Sequence, residues 1–145
     1  MITIHQTINP VEALLITPFI TSIDVYYPDI TEWYINTVIP GVVTGNDILL
    51  IAKDKNYIAG ILLAKKSEEN KLRCVRVAPS HKGSGLGIKL IDQALNLIGD
   101  KPLVSVSQEL LHDYSRMFVN RYKFILSDVV KGAYRENKLE YFFNQ

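Results

Sequence analysis

The sequence predicts an α/β (α+β) fold with seven strands and about four helices, in the order β-α-α-β-β-β-α-β-α-β-β. Two observations predict it: short runs rich in Ile, Leu and Val, and, between them, segments whose apolar residues recur at helical spacing. The chain has 145 residues, 48% of them hydrophobic, which is enough for the core of one domain. No repeat or linker divides it, so residues 1–145 are expected to form a single domain.

A strand and a first helix are predicted at the N-terminus. The segment ITIHQTI alternates between apolar and polar residues, as a half-buried strand does. In NPVEALLI, Asn9 is a suitable N-cap, Pro10 suits the first helical position, and Glu12 stands where a capping box places its acidic residue. Pro18 is expected to end this helix, because proline disrupts a helix interior.

A second short helix and three strands are predicted next. Asp29 and Glu32 repeat the capping-box spacing before an apolar helical stripe, which Pro40 and Gly41 are expected to close. The runs DILLIAK, YIAGILLAKK and LRCVRVAP are short and rich in Ile, Leu and Val. They are predicted to be consecutive antiparallel strands.

The C-terminal half begins with a glycine-rich segment, VAPSHKGSGLG, that runs from Val77 to Gly87. Apolar residues at helical spacing follow it as far as Gly99, so the segment connects a strand to a third helix. PLVSVS is predicted as the fifth strand, and the stretch around Tyr114 and Phe118 as the fourth helix. FILSDVVKGAY and KLEYFFNQ are predicted as a closing pair of strands.

The glycines of this segment predict an anion site. A glycine-rich turn that enters a helix presents unpaired backbone N–H groups at the positive end of the helix dipole, where phosphate binds well. A Walker loop is excluded because no glycine precedes Lys and then Ser or Thr. A dinucleotide fingerprint is disfavoured because Ile88 stands where its third glycine is needed. The alternative is a tight connection without a ligand.

The pattern Lys82-x-x-Gly85-x-Gly87, after Val77-x-Pro79 and before an amphipathic helix, resembles the acetyl-CoA signature (Q/R)-x-x-G-x-(G/A) of the GNAT superfamily of N-acetyltransferases. Lysine takes the place of the usual glutamine or arginine. The predicted element order also matches this family. The resemblance implies a GNAT-like mixed, mostly antiparallel central sheet. It implies an acyltransferase that moves an acetyl group from acetyl-CoA to an amine by direct transfer in a ternary complex, with no metal.

The resemblance also implies which residues bind acetyl-CoA. The backbone around Val75 and Val77 would bind the pantetheine arm and the acetyl carbonyl. A second stretch, HDYSRMFVNRYKF, is similar to the family pattern N-x-x-A-x-x-L-Y-x-x-x-G-F and puts His112 in the place of the Asn. The pyrophosphate would lie on the loop residues Lys82, Gly83, Ser84, Gly85, Leu86 and Gly87.

The resemblance leaves both proton transfers without their usual residues. GNAT enzymes that use a side-chain base often carry a glutamate on the fourth strand, and LRCVRV contains none. Val119 stands where the family often has the tyrosine that protonates the departing thiolate. Tyr122, one helical turn further on, is the candidate catalytic residue for that step, with solvent as the alternative. The alternative function is a catalytically weak protein that binds acetyl-CoA or CoA as a sensor or interaction module.

Composition sets the expected partners and location. Sixteen Lys and Arg stand against fifteen Asp and Glu, a balance that argues against nucleic acid as a partner. The longest apolar run, YIAGILLA, is far shorter than the roughly 18 residues of a membrane span, so no membrane is expected. The N-terminus does not resemble a secretion signal, and Cys74 is the only cysteine, which fits a cytoplasmic protein.

The acceptor is expected to be a small-molecule or peptide amine. Tyr26, Tyr27 and Trp33 lie, with nearby carboxylates, in the segment that forms one wall of the acceptor site in GNAT proteins. Aromatic rings and carboxylates together suit a cation, although packing between two short helices explains Trp33 equally well. Cys74 is interpreted as a small core residue rather than a nucleophile. The choice between a monomer and a homodimer stays open.

Overall fold

A seven-stranded sheet runs through the protein, in the spatial order β1-β2-β3-β4-β5-β7-β6. The computed structural model describes all residues from 1 to 145. Its strands are β1 (Ile2–Thr7), β2 (Asp47–Asp54), β3 (Tyr57–Lys65), β4 (Lys71–Val77), β5 (Leu103–Ser107), β6 (Leu126–Lys131) and β7 (Leu139–Phe143). All neighbouring strands are antiparallel except β4 and β5, which are parallel. The predicted fold class is therefore confirmed.

Helices cover both faces of this sheet. They are α1 (Pro10–Leu15), α2 (Thr17–Thr21), α3 (Ile30–Trp33), α4 (Ile39–Thr44), α5 (Leu86–Ile98) and α6 (Leu111–Ser115). A π-turn at Tyr34–Val38 joins α3 to α4, a second at Arg116–Arg121 follows α6, and a 3-10 turn spans Pro79–His81. None of the helices has both the length and the apolar character that a membrane crossing requires.

The two prolines expected to end helices lie instead inside helical segments. Pro18 is in the first turn of α2, a helix that was not predicted, and Pro40 is in the first turn of α4. Proline is tolerated in a first turn because the N–H groups there have no intrahelical acceptor. The second predicted helix therefore continues past Gly41 to Thr44, where Gly45 ends it with φ +91°.

Only one of the two predicted helix caps forms. Asn9 caps α1 as predicted, since its side chain accepts hydrogen bonds from the backbone of the first turn. Glu12 does not complete a capping box, because its carboxylate contacts His5 at 3.0 Å and Lys53 at 3.4 Å instead. Asp29 precedes α3 with φ +65°, and its side chain makes no capping hydrogen bond.

Two apolar cores lie on opposite faces of the sheet. Alternate residues of a strand point to opposite faces, and on β2 this sends Leu49 and Leu50 to different cores. The face covered by α5 and α6, here called the α5 face, buries Leu50 with Leu86 and Phe118. The other, here called the α1–α4 face, buries Leu49 with Tyr34. Both faces of the central strands are therefore buried in an apolar core.

The sheet opens between β4 and β5. These strands pair only at their first residues, Lys71 with Leu103 and Leu72 with Val104. On its other edge β4 remains paired with β3 as far as Val77. The two strands diverge beyond Leu72, so that a slot crosses the sheet, and we refer to it below as the slot.

Replacing Tyr34 with Phe tests the packing of α1 against the π-turn. The Tyr34 side chain is completely buried, and its hydroxyl donates a hydrogen bond to the Ala13 carbonyl. Loss of this bond is expected to lower the free energy of unfolding by about 1 kcal/mol in urea denaturation. Tyr57→Phe is the matched control, because Tyr57 is 77% exposed. Equal stability of the two variants would contradict the role of this bond.

Candidate active site

The slot is narrow, about 50 Å³, and reaches from one face of the sheet to the other. Residues 73–76 of β4 and 104–106 of β5 form its two long sides. Tyr114 closes it on the α5 face, and Tyr27 closes it on the α1–α4 face. Two molecules approaching from opposite faces of the sheet would meet here.

Backbone groups of β4 face the slot. The Val75 carbonyl accepts a hydrogen bond from the Tyr114 hydroxyl at 3.0 Å, so the peptide groups of Val75 point away from β3. Those of Val77 point the same way, because strand residues two apart share one hydrogen-bonding side. An extended ligand with amide groups can pair with such an edge as an added strand does.

The glycine-rich loop turns the chain from β4 into α5. Gly83 and Gly85 have φ of +80° and +82°, a left-handed conformation that other residues adopt only with strain. Gly85 is the residue before α5, and its side-chain position is open to solvent. The amides of Gly83, Gly85 and Gly87 donate to no protein acceptor, and neither do those of Leu86 and Ile88. The loop is therefore a cradle of free N–H groups at the positive end of a helix.

The side chains of the loop differ in their exposure. Lys82 and Ser84 are exposed, whereas Leu86 is buried against the sheet, which leaves only its amide for a ligand. His81 anchors the loop to the β2–β3 hairpin through a 2.9 Å contact with Asp54. The hydrogen bond from His81 holds the pKa of the Asp54 carboxyl below its ordinary value. Sequence reasoning did not find this anchor, because the two residues are far apart in the chain.

Close packing brings α5 to the open end of β4. A Cβ atom on Gly60 of β3 would lie 2.9 Å from the Arg76 carbonyl oxygen and 3.3 Å from Leu86. Only glycine fits between the strand and the helix at this point. The absence of a side chain there lets the N-terminus of α5 approach the strand edge that carries Val75 and Val77.

Two of the predicted site residues lie outside the slot. His112 is exposed on α6, and its ring makes no hydrogen bond within the chain. The Tyr122 hydroxyl donates to Asp92 of α5 at 2.7 Å and lies 3.3 Å from the Ile88 carbonyl. Burial, with Asp92 beside it, raises the pKa of Tyr122 to about 12. The structure thus places the candidate acid Tyr122 against α5 rather than against β4.

Tyr114 places a hydroxyl group in the slot beside β4. Its ring stacks on Phe118, with 5.5 Å between the ring centroids, and its hydroxyl points at β4. Burial raises the pKa of Tyr114 to about 12, and the neighbouring Cys74, Arg76 and Asp113 modify this effect. The hydroxyl is therefore protonated at neutral pH. Sequence reasoning missed Tyr114 because it belongs to an apolar helical stripe and served only to mark the fourth helix.

Cys74 borders the slot but is not a suitable nucleophile. Its side chain is buried on the α1–α4 face. Burial raises the pKa of the Cys74 thiol to about 12. Since the thiolate is the reactive form, this thiol stays unreactive at neutral pH.

A larger cavity of about 490 Å³ adjoins the slot on the α1–α4 face. Aromatic rings dominate its walls, and Tyr27 and Ser105 line both the cavity and the slot. We call it the aromatic cavity. Its aromatic lining residues are Tyr27, Trp33, Tyr134, Phe142 and Phe143.

Charged groups at the aromatic cavity are mostly paired. The Arg73 guanidinium lies over the Trp33 ring at 5.1 Å and contacts Asp47 at 2.9 Å. Asp29 borders the cavity with an exposed carboxylate. Tyr26 faces Arg135 rather than the cavity, at 5.9 Å. No group of three or more His, Cys, Asp or Glu residues is arranged to hold a metal ion.

Comparison with known proteins identifies the fold. No protein-family model matches the sequence, and no curated protein matches it. A protein described as an acetyltransferase of the GNAT family from Desulfovibrio desulfuricans superposes with a TM-score of 0.77 at 19% identity, over 99% of this chain and 97% of that one. Arabidopsis thaliana NAA60, solved in complex with acetyl-CoA, gives 0.73 at 15% identity, over 99% and 97% of the two chains.

A third comparison agrees with these two. Ard1 from Thermoplasma volcanium superposes with a TM-score of 0.70 at 16% identity, over 98% of this chain and 95% of that one. The chain therefore has the GNAT fold over essentially its whole length. The resemblance found in the glycine loop and in the element order is confirmed at the level of the fold.

Alanine substitutions at two glycines test the loop geometry. Gly85→Ala is expected to lower the free energy of unfolding by about 1 to 2 kcal/mol, because φ is +82° there although space is open. Gly87→Ala adds the same methyl group at an ordinary helical position, 3.8 Å from Val77. Its stability is expected to be unchanged or up to about 1 kcal/mol higher. Equal urea midpoints would contradict the left-handed conformation at Gly85.

Proposed function

We propose that the protein is an N-acetyltransferase that transfers an acetyl group from acetyl-CoA to an amine by direct transfer in a ternary complex. One observation carries the proposal: the cradle of free amides at the start of α5 lies beside a slot whose β4 edge has peptide groups that no neighbouring strand pairs with. The first feature suits a pyrophosphate and the second suits a chain of amides. Pantetheine pyrophosphate combines both chemistries in one molecule.

The free amides of the loop would hold the pyrophosphate. Gly83, Gly85, Leu86 and Gly87 offer N–H groups, the exposed Lys82 adds a positive charge, and Ser84 lies among them. The pantetheine arm would run along the peptide groups of Val75 and Val77. His112, on α6, would contact the arm from the α5 face. The thioester would then lie in the slot, near Tyr114.

The acceptor would approach from the aromatic cavity. This cavity opens on the face opposite to Tyr114 and shares Tyr27 and Ser105 with the slot. A small-molecule or peptide amine bound there could reach the thioester without displacing the cosubstrate. Both substrates could be bound together, and the buried, protonated Cys74 argues against an acetyl-cysteine intermediate.

The residues of the slot would supply the chemistry of the transfer. As the amine nitrogen bonds to the carbonyl carbon, backbone N–H groups of β4 would stabilise the charge on the carbonyl oxygen. The carbon–sulfur bond then breaks, and the Tyr114 phenol would give its proton to the sulfur. The amine nitrogen gives up one proton, which finally reaches solvent, and Tyr114 regains one from solvent.

Acetyl-CoA binding tests the cradle. Lys82→Glu is expected to weaken binding about 10-fold or more in titration calorimetry, because a charged hydrogen bond to phosphate is lost and a repulsion is added. Lys66→Glu makes the same change of charge at an exposed residue of the β3–β4 connection. Equal affinities of the two variants would contradict the cradle.

Turnover with a panel of amines then separates catalysis from binding. The panel should include amino acids, peptide N-termini, lysine side chains, aromatic amines and polyamines, with CoA release as the readout. Release that depends on the amine would establish transfer. Tight binding without release from any amine would support the sensor or interaction module instead.

Two tyrosine variants identify the acid. Tyr114→Phe is expected to lower kcat about 100-fold, the scale of a general acid, with little change in acetyl-CoA affinity. Tyr122→Phe removes a hydroxyl that is bonded to Asp92 and is expected to keep most of kcat. The reverse result would restore Tyr122 as the acid. If both variants kept full activity, solvent would be the proton source.

A further inference from the structure

We propose that Tyr27 and Glu140 together accept the proton of the attacking amine. The Tyr27 hydroxyl takes that proton at the slot, and its own proton passes to the Glu140 carboxylate behind it. The inference rests on the proposed acetyl transfer and supplies the base for which the fourth strand has no glutamate.

The strand register places Glu140 close to the slot. On the neighbouring strands β5 and β7, Ser107 lies opposite Glu140, and Ser105 lies opposite Phe142. Side chains of directly opposed residues point to the same face. Ser105 and Phe142 line the aromatic cavity, so Glu140 also belongs to the α1–α4 face.

Tyr27 connects Glu140 to the slot. It lies between α2 and α3, and its hydroxyl donates a hydrogen bond to Glu140 Oε2 at 3.0 Å. The same tyrosine lines both the slot and the aromatic cavity. The phenol oxygen can therefore accept one hydrogen bond from an amine in the slot while it donates another to the carboxylate.

Glu140 is buried without a cation of its own. It is 4% exposed, and the Arg135 guanidinium nearby is bonded to Glu109 at 2.6 Å. A buried carboxylate without a paired cation is costly, and such groups cluster at functional sites. The Ser107 hydroxyl opposite it is completely buried and has no hydrogen-bond partner. The Ser107 hydroxyl beside Glu140 can therefore form a hydrogen bond that the folded chain does not provide.

The ionisation of the pair agrees with this direction of transfer. Burial raises the pKa of Glu140, the side chains of Ser105 and Tyr27 and the nearby Arg135 lower it, and Glu109 raises it again. Burial and the adjacent Glu140 raise the pKa of Tyr27 well above its ordinary value, the Ser107 backbone opposes this rise, and Tyr134 adds to it. A proton that reaches the pair therefore resides on the Glu140 carboxyl group, and Tyr27 stays a neutral phenol.

The proton balance closes with Tyr114. One N–H bond of the amine breaks as its nitrogen bonds to the acetyl carbon, and that proton goes to Tyr27 while the Tyr27 proton goes to Glu140. The carbon–sulfur bond breaks, and the sulfur receives a proton from Tyr114. Glu140 then loses its proton to solvent, and Tyr114 gains one.

Glu140→Gln and Tyr27→Phe test the pair, with Tyr141→Phe as the matched control. Tyr141 is the next residue on β7 and packs against the core of the opposite, α5 face. Both test variants are expected to lower kcat about 100-fold and to bind acetyl-CoA as the wild type does. The control is expected to keep the kcat of the wild type.

The pH profile separates a proton acceptor from a structural role. Because the folded-state pKa of Glu140 is raised, wild-type kcat should fall on acidification at a pH above the ordinary range of a glutamate, and Glu140→Gln should lack this limb. For the same reason, ionisation of the buried Glu140 lowers the stability of the folded protein as the pH rises. Glu140→Gln should therefore melt at the same or a higher temperature than wild type at pH 8.

Each outcome decides between the alternatives. A Glu140→Gln variant that turns over at the wild-type rate, with an unchanged acidic limb, would overturn this inference and leave acetyl transfer intact. An equal loss in Tyr141→Phe, or a lower melting temperature that accounts for the loss, would assign Glu140 a structural role and also overturn it. A wild-type chain that binds acetyl-CoA and releases no CoA with any amine would overturn both proposals.

Discussion

The short pairing of β4 with β5 is the constraint on which the rest of the site depends. Two parallel residue pairs hold these strands together, and beyond them each strand keeps its other neighbour but not this one. A peptide group without a strand partner needs another hydrogen-bonding group, which for the Val75 carbonyl is the Tyr114 hydroxyl. The slot is the gap that this divergence leaves, and side chains from the cores of both faces line it.

The order of the strands along the chain was predictable because each strand is marked by its own local composition. The apolar runs LRCVRV and PLVSVS predict strands whatever their neighbours are. Pro18 and Pro40 were wrongly predicted to end helices. Proline disrupts a helix interior but suits a first turn, and the sequence alone does not show where a new helix begins. Asp29 is not a cap because its backbone is left-handed, whereas an N-cap residue is usually extended, and its side chain makes no capping hydrogen bond.

The geometry of the candidate site was predictable only where its parts are close in sequence. The glycine loop is encoded in consecutive residues, and its spacing suffices to predict free amides before a helix. Tyr114 and Glu140 could not be assigned in this way, because Tyr114 looks like core on its helix and Tyr27 and Glu140 meet only after the sheet has closed. One signal was present: in KLEYFF, Glu140 is the only acidic residue within an apolar run.

The contact between Tyr27 and Tyr134 joins the two ends of the chain. Their rings meet edge to face, with 5.6 Å between the centroids, although more than a hundred residues separate them. Contacts of such long sequence separation form late in folding, because a large loop must close first. The loop that would bind the cosubstrate, between β4 and α5, needs no such closure. A chain still emerging from the ribosome would therefore complete the glycine loop before the aromatic cavity, and the last hairpin, which contributes Tyr134 and Phe142, would be the step that closes that cavity.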